Sequence, residues 1–129
     1  VGNIETLITN MAVRPPMYVH PVNVYSIENL LRGFLYHWID EIKTYEFDPT
    51  SVNCVFRSFI DRWICHWIRK NIDDKYDTED SFFSDMLTSV AKNEDEAVKI
   101  FFSACQEFFM LFHKNQPEYW AKIAKEGWG

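Results

Sequence analysis

Apolar residues recur at helical spacing over long stretches, and this periodicity restricts the chain to an α-helical architecture. Ile27, Leu30, Leu31, Phe34, Leu35, Trp38, Ile39 and Ile42 follow the i, i+3, i+4, i+7 rhythm for more than four turns, with Ser26 at the expected N-cap. A second run, Val52, Val55, Phe56, Phe59, Ile60, Trp63, Ile64, Trp67 and Ile68, follows the turn-and-cap segment Asp48-Pro49-Thr50-Ser51 and should end near Asn71. A third covers Ala97 to His113. There Asn93 and Glu96 form a candidate capping box, and apolar positions span more than half the circumference, which predicts a central helix.

Three shorter helices complete the pattern. Asn3 can cap Ile4 to Val13, Thr78 can cap Glu79 to Ala91, and Pro117 suits the first position of Glu118 to Lys125. Between the first two helices, Pro15, Pro16 and Pro21 fix φ and remove donors, so Arg14 to Val24 must run as an extended or turn segment. No internal repeat or low-complexity linker divides the 129 residues. The expected architecture is all-α, a single compact bundle of five or six helices spanning residues 1–129. At this length a folded chain buries roughly two-thirds of its unfolded surface, so a core forms without metal or disulfide staples. The 22 aromatic side chains would fill much of it.

Three cysteines and no secretory leader pattern point to a reducing compartment, with the cytoplasm as the expected location. Cys54 and Cys65 are eleven residues apart on one predicted helix, roughly 16 Å, which is too far for a bridge. They lie on its weaker face, either a second packing surface or exposed. No zinc-knuckle spacing occurs, so neither a metal nor another cofactor is expected. No uncharged apolar run is long enough to span a bilayer.

Charge is concentrated rather than spread. Between Asp73 and Glu96 stand nine acids and two bases, a local sum of -7, whereas the whole chain carries -6. This stretch is either a solvated loop with two well-charged helix N-termini or an electronegative face for a cationic partner. Its candidate partner-binding residues are Asp73, Asp74, Tyr76, Asp77, Glu79, Asp80 and Asp85. Tyr76 sits among the acids, and Tyr36 opposes the apolar stripe of its helix; tyrosine offers contact area at low entropy cost.

Catalytic signals are sparse. His37 and Glu41 are i, i+4 neighbours, and His37 and His66 fall at the borders of their apolar stripes, where an amphipathic ring commonly sits. The four glycines never cluster into a phosphate-cradling loop. Arg57, Arg62, Arg69 and Lys70 make the second long helix partly basic, but Asp61, Asp73 and Asp74 interleave with them and the net charge repels nucleic acid.

The segment Arg14-Pro15-Pro16-Met17-Tyr18-Val19 carries a resemblance. With Ser26, Phe34-Leu35, Asn93-Glu94-Asp95-Glu96-Ala97 and Phe101-Phe102 following in order, the chain resembles small all-α bacterial proteins with an Arg-Pro-x-Met-Tyr motif, which in turn resemble immunity proteins of toxin systems. The resemblance implies a non-enzymatic inhibitor that occupies a toxin's active or binding surface, its partner being a basic toxin domain. Within the motif, Arg14, Pro15, Met17 and Tyr18 form either a structural clasp or a partner contact. In the clasp, Arg14 bonds the last carbonyls of the first helix while Met17 and Tyr18 tuck beneath the second, so that Tyr18→Ala costs on the order of 3 kcal/mol. Two alternatives remain: a structural or regulatory subunit of a larger assembly, and an enzyme with a dispersed site built from His37, Glu41 and His66.

Overall fold

The computed structural model describes residues 3–42, 46–78 and 81–128. Helix α1 (Ile4–Val13) leads through a 3-10 turn (Pro15–Met17) to α2 (Val24–Ile42), α3 (Val52–Asn71), α4 (Phe83–Val90), α5 (Glu94–Lys114) and α6 (Pro117–Glu126). The architecture is therefore an all-α bundle, with six α-helices among the described residues.

Local signals account for most boundaries. Asn3 accepts from the Thr6 N–H, Ser51 from Cys54 and Asn93 from Glu96, so each short polar side chain satisfies a first-turn donor that has no intrahelical partner. Pro117 opens α6, where its missing N–H costs nothing. The capping box at α5 is displaced by one residue, since Glu96 accepts from the N–H of Lys92 rather than that of Asn93. Ser26 is not the cap of α2. The helix begins at Val24, and Asn23 Oδ1 accepts from the Ser26 N–H at 2.9 Å.

Helix α5 touches α1, α2, α3 and α4, in keeping with its wide apolar arc. The core between these elements is largely aromatic. Phe56 meets Phe108 edge-on at 5.7 Å, Phe83 stacks on Phe101 at 4.8 Å, and Trp120 brings α6 against Phe59 at 5.4 Å. Trp63 crosses from α3 to α5, its indole N–H donating to the Ala104 carbonyl at 2.8 Å. All three cysteines are buried, so the weaker face of α3 is a second packing surface. Burial pushes the Cys105 thiol well above its ordinary pKa and keeps it protonated.

The expected clasp is built differently. Met17 is 71% exposed and Tyr18 38%, whereas Val19 is 8% exposed and joins the core with Val24. The 3-10 turn explains this reversal: Tyr18 and Val19 both donate to the Pro15 carbonyl, and the tightened turn swings Val19 inward while Met17 and Tyr18 face outward. Arg14 is the exposed C-cap residue of α1, and its own carbonyl accepts from Met17. Val19→Ala should cost roughly 1–2 kcal/mol and Tyr18→Ala less than about 1 kcal/mol in urea unfolding. The opposite order would place the tyrosine inside.

Candidate functional site

The acidic connection between α3 and α4 is held by its own backbone and by two neighbours. Past Asn71, the Ile72 and Asp73 N–H groups both donate to the Ile68 carbonyl, closing the helix. Asp73 accepts from the Lys75 N–H at 3.0 Å, a local turn, and its carbonyl accepts from Tyr76. Arg69 Nε donates to the Tyr76 carbonyl, and the Tyr76 hydroxyl lies 3.4 Å from Ser89 Oγ on the last turn of α4. Asp73, Asp74 and Asp77 are exposed on this pinned loop. It lies beside the end of α4, which leads through Ala91, Lys92 and Asn93 into Glu94, Asp95 and Glu96 at the start of α5.

Tyr76 is half-buried and packs on the core, and its hydroxyl and carbonyl both anchor the loop. Asp85 is exposed and accepts from the Tyr25 hydroxyl at 3.1 Å, joining α4 to α2. Glu79 and Asp80 lie outside the described residues. Tyr36 is 78% exposed, in keeping with its position opposite the apolar stripe.

A polar cluster that the sequence pattern does not reveal lies at the opposite end of α4. Helix α4 begins at Phe83, four residues after the start expected from Thr78, and its N-cap residue Phe82 supplies no side-chain bond. Other helices cap it instead. Asp61 of α3 accepts from the Phe83 N–H at 2.8 Å, and buried Glu28 of α2 accepts from the Ser84 N–H at 3.1 Å. Arg32 joins the two carboxylates, with its Nε 2.5 Å from Glu28 and its Nη2 3.3 Å from Asp61, and lies 4.3 Å over the Phe82 ring. Two carboxylates share one guanidinium, and the positive end of α4 offsets the remaining charge. Burial pushes the Asp61 carboxyl above its usual range against the pull of Arg32. For Arg32, burial opposes the charge, but the Glu28 hydrogen bond and the two carboxylates outweigh it and raise the pKa. The signal available in the sequence was the i, i+4 spacing of Glu28 and Arg32 together with an aspartate close to the apolar stripe of α3.

The histidines occupy separate surroundings. His37 lies 3.3 Å from Glu41 on the exposed side of α2, so it is not a border residue. His66 is half-buried and stacks on Trp128 at 5.7 Å. His113 on α5 lies 2.8 Å from Glu5 on α1. Among the described residues no contact joins His37 or Glu41 to His66, and no three His, Cys, Asp or Glu side chains converge as metal ligands. No described helix is long and apolar enough to cross a membrane. A groove of about 940 Å³ beside α1 and α5 is lined by Ile8, Thr9, Ala12, Phe109 and Met110, with Glu5 and His113 also on its wall.

The fold and these surfaces define a helical bundle with charged and apolar faces. Compared with known protein families, curated proteins and solved structures, the chain matches none.

Glu28→Ala leaves Arg32 and the Ser84 N–H without their buried acceptor, and should cost on the order of 3 kcal/mol in denaturant unfolding. A loss below about 0.5 kcal/mol would show that water replaces the cap. The Asp61 proton supplies a second test. Because the folded-state pKa is raised, its stabilising contribution is complete below the unfolded value and fades as pH rises through the folded one. Acidification from about pH 7 to about pH 4 should therefore shift the stability difference between wild type and Asp61→Asn toward wild type. A shift toward the variant would mean that Arg32, not burial, governs Asp61.

Proposed function

We propose that this protein is a non-enzymatic protein-binding domain, an immunity-type inhibitor that neutralises a bacterial toxin by meeting a basic toxin surface with its acidic one. The observation that carries the reading is the pinned loop. Exposed Asp73, Asp74 and Asp77 stand on a loop held by Arg69, Tyr76 and Ser89. An acidic segment ordered before encounter loses little freedom on binding, and its field speeds association with a cationic partner. The Arg-Pro-x-Met-Tyr segment supports the same reading, since Met17 and Tyr18 are available to touch a partner. Its residence would be the bacterial cytoplasm, where a toxin's producer needs protection.

A second reading, a structural subunit of a larger assembly, draws on the apolar groove beside α1 and α5, near which Val13 is 78% and Met110 66% exposed. Self-association in sizing chromatography at micromolar concentration would favour it.

The test of the first reading is co-expression with the toxin encoded at the neighbouring locus, followed by kinetics on the purified pair. Protection and a stable complex are expected. Asp74→Asn with Asp77→Asn should slow association by at least about threefold at low salt, flatten its salt dependence and leave the melting temperature nearly unchanged. Failure to protect against or bind that toxin would overturn the immunity reading. Protection with an unchanged association rate would move the contact away from the acidic loop.

A further inference from the structure

In a chain of net charge -6, one concave site is lined by positive charge. Helix α6 ends at Gly127, whose φ of 69° and ψ of -168° belong to a region that glycine adopts without strain and other residues avoid. This turn brings Trp128 back over α3. There its indole N–H donates to the Tyr119 hydroxyl at 2.9 Å, and its ring stacks on His66 with an interplanar angle of 24°. Between α3 and this returning segment opens a cleft of about 280 Å³, walled by Arg62, His66, Arg69, Lys125, Gly127 and Trp128.

The cations have fixed places around it. Arg62 lies 4.7 Å over the Phe59 ring, which restrains its guanidinium, and Arg69 is tethered through Nε to the Tyr76 carbonyl. Lys125 approaches from α6. Among the described residues the single acid on the wall, Glu126, lies 3.9 Å from Lys122 outside the cleft. The local field shows independently at His66, where burial first, and then the charges of Lys70 and Arg69, depress the imidazole pKa. A neutral imidazole with a free edge can donate to an anion, and it becomes a better donor when the anion favours its protonation.

The geometry points to a binding site for a small phosphate oxyanion, free or carried by a small monoester, held between Arg62 and Lys125 with His66 as a third donor and Trp128 as the apolar wall. Arginine and lysine recognise such a group through charge-assisted hydrogen bonds. The volume lies at the small end of ligand sites, and the acidic surface elsewhere repels a polyanion, so the ligand is a single small molecule rather than a nucleic acid or a membrane. This inference does not depend on the toxin-inhibitor reading.

Inorganic phosphate and ribose 5-phosphate, titrated separately into the full chain at low ionic strength, test it through tryptophan fluorescence and the His66 imidazole resonance. Saturable binding with Kd at or below about 1 mM is expected, together with a rise in the His66 pKa on saturation. Arg62→Gln and Lys125→Gln should each weaken binding about tenfold, while Lys122→Gln, the same loss of charge outside the cleft, should change it less than about twofold. Lys125 is exposed, so its variant tests the site even where Arg62→Gln disturbs the packing on Phe59. Tighter binding of ribose 5-phosphate assigns the site to an organic monoester, and equal affinity assigns it to the free ion. No saturation by about 10 mM, or equal losses in Lys122→Gln and Lys125→Gln, would overturn the proposal.

Discussion

The N-terminus of α4 is held by two carboxylates from other helices, and the arrangement of the bundle depends on that contact. Phe83 and Ser84 would otherwise bury two N–H groups without acceptors, a cost of about 1–3 kcal/mol each. Asp61 and Glu28 remove that cost, and Arg32 keeps the two carboxylates from repelling each other. The same device recurs at α1, where buried Asn53 of α3 accepts from the Ile4 N–H at 2.7 Å. Among the described residues the buried polar set is Glu28, Asn53 and Ser84, and all three stand at such junctions. Apolar contacts press the helices together without fixing where along its length each one begins. These hydrogen bonds fix it, since moving α4 by one residue would strand a charged group in the interior.

This arrangement explains which parts of the fold were legible in the sequence. Helices α2, α3 and α5 announce themselves because each repeats its apolar stripe for four turns or more, and α1, α3 and α5 carry a local cap that can be read three residues ahead. The start of α4 is hidden because its caps stand 22 and 56 positions away in the chain. Thr78 fits the local rule for a cap, but the nearest acceptors in space are Asp61 and Glu28. Ser26 is similarly displaced by Asn23, which stands just outside the helix and accepts from the N–H of Ser26 itself.

Loops were harder to read, because side-chain direction has no period to follow there. The acidic run between Asp73 and Glu96 is visible from composition, and Asp73, Asp74 and Asp77 are exposed as an electronegative surface requires. That Tyr76 also anchors the loop depends on Arg69 and Ser89, and neither contact is implied by spacing. In the Arg14 to Val24 segment, the prolines correctly imply an irregular path. The inward side chain is nevertheless Val19 rather than Tyr18, because a three-residue turn rotates each position further than an α-helical one. The positive cleft escaped for a related reason: Lys125 of α6 meets Arg62 and Arg69 of α3 only in the folded chain, with Trp128 as the remaining wall.

The acidic loop and the positive cleft occupy adjoining parts of α3, and Arg69 belongs to both. Its Nε carries the Tyr76 carbonyl, which orders the loop, while its side chain lines the cleft next to His66. Opposite charges so placed partly cancel at a distance, so each surface keeps its own sign only close to its own groups. The bond from Nε to the Tyr76 backbone carbonyl fixes one edge of the Arg69 guanidinium. A substitution at Arg69 therefore disturbs both surfaces at once and identifies neither. Arg62 and Lys125 belong to the cleft and Asp74 and Asp77 to the loop, so only variants drawn from these separate sets alter one surface without touching the other.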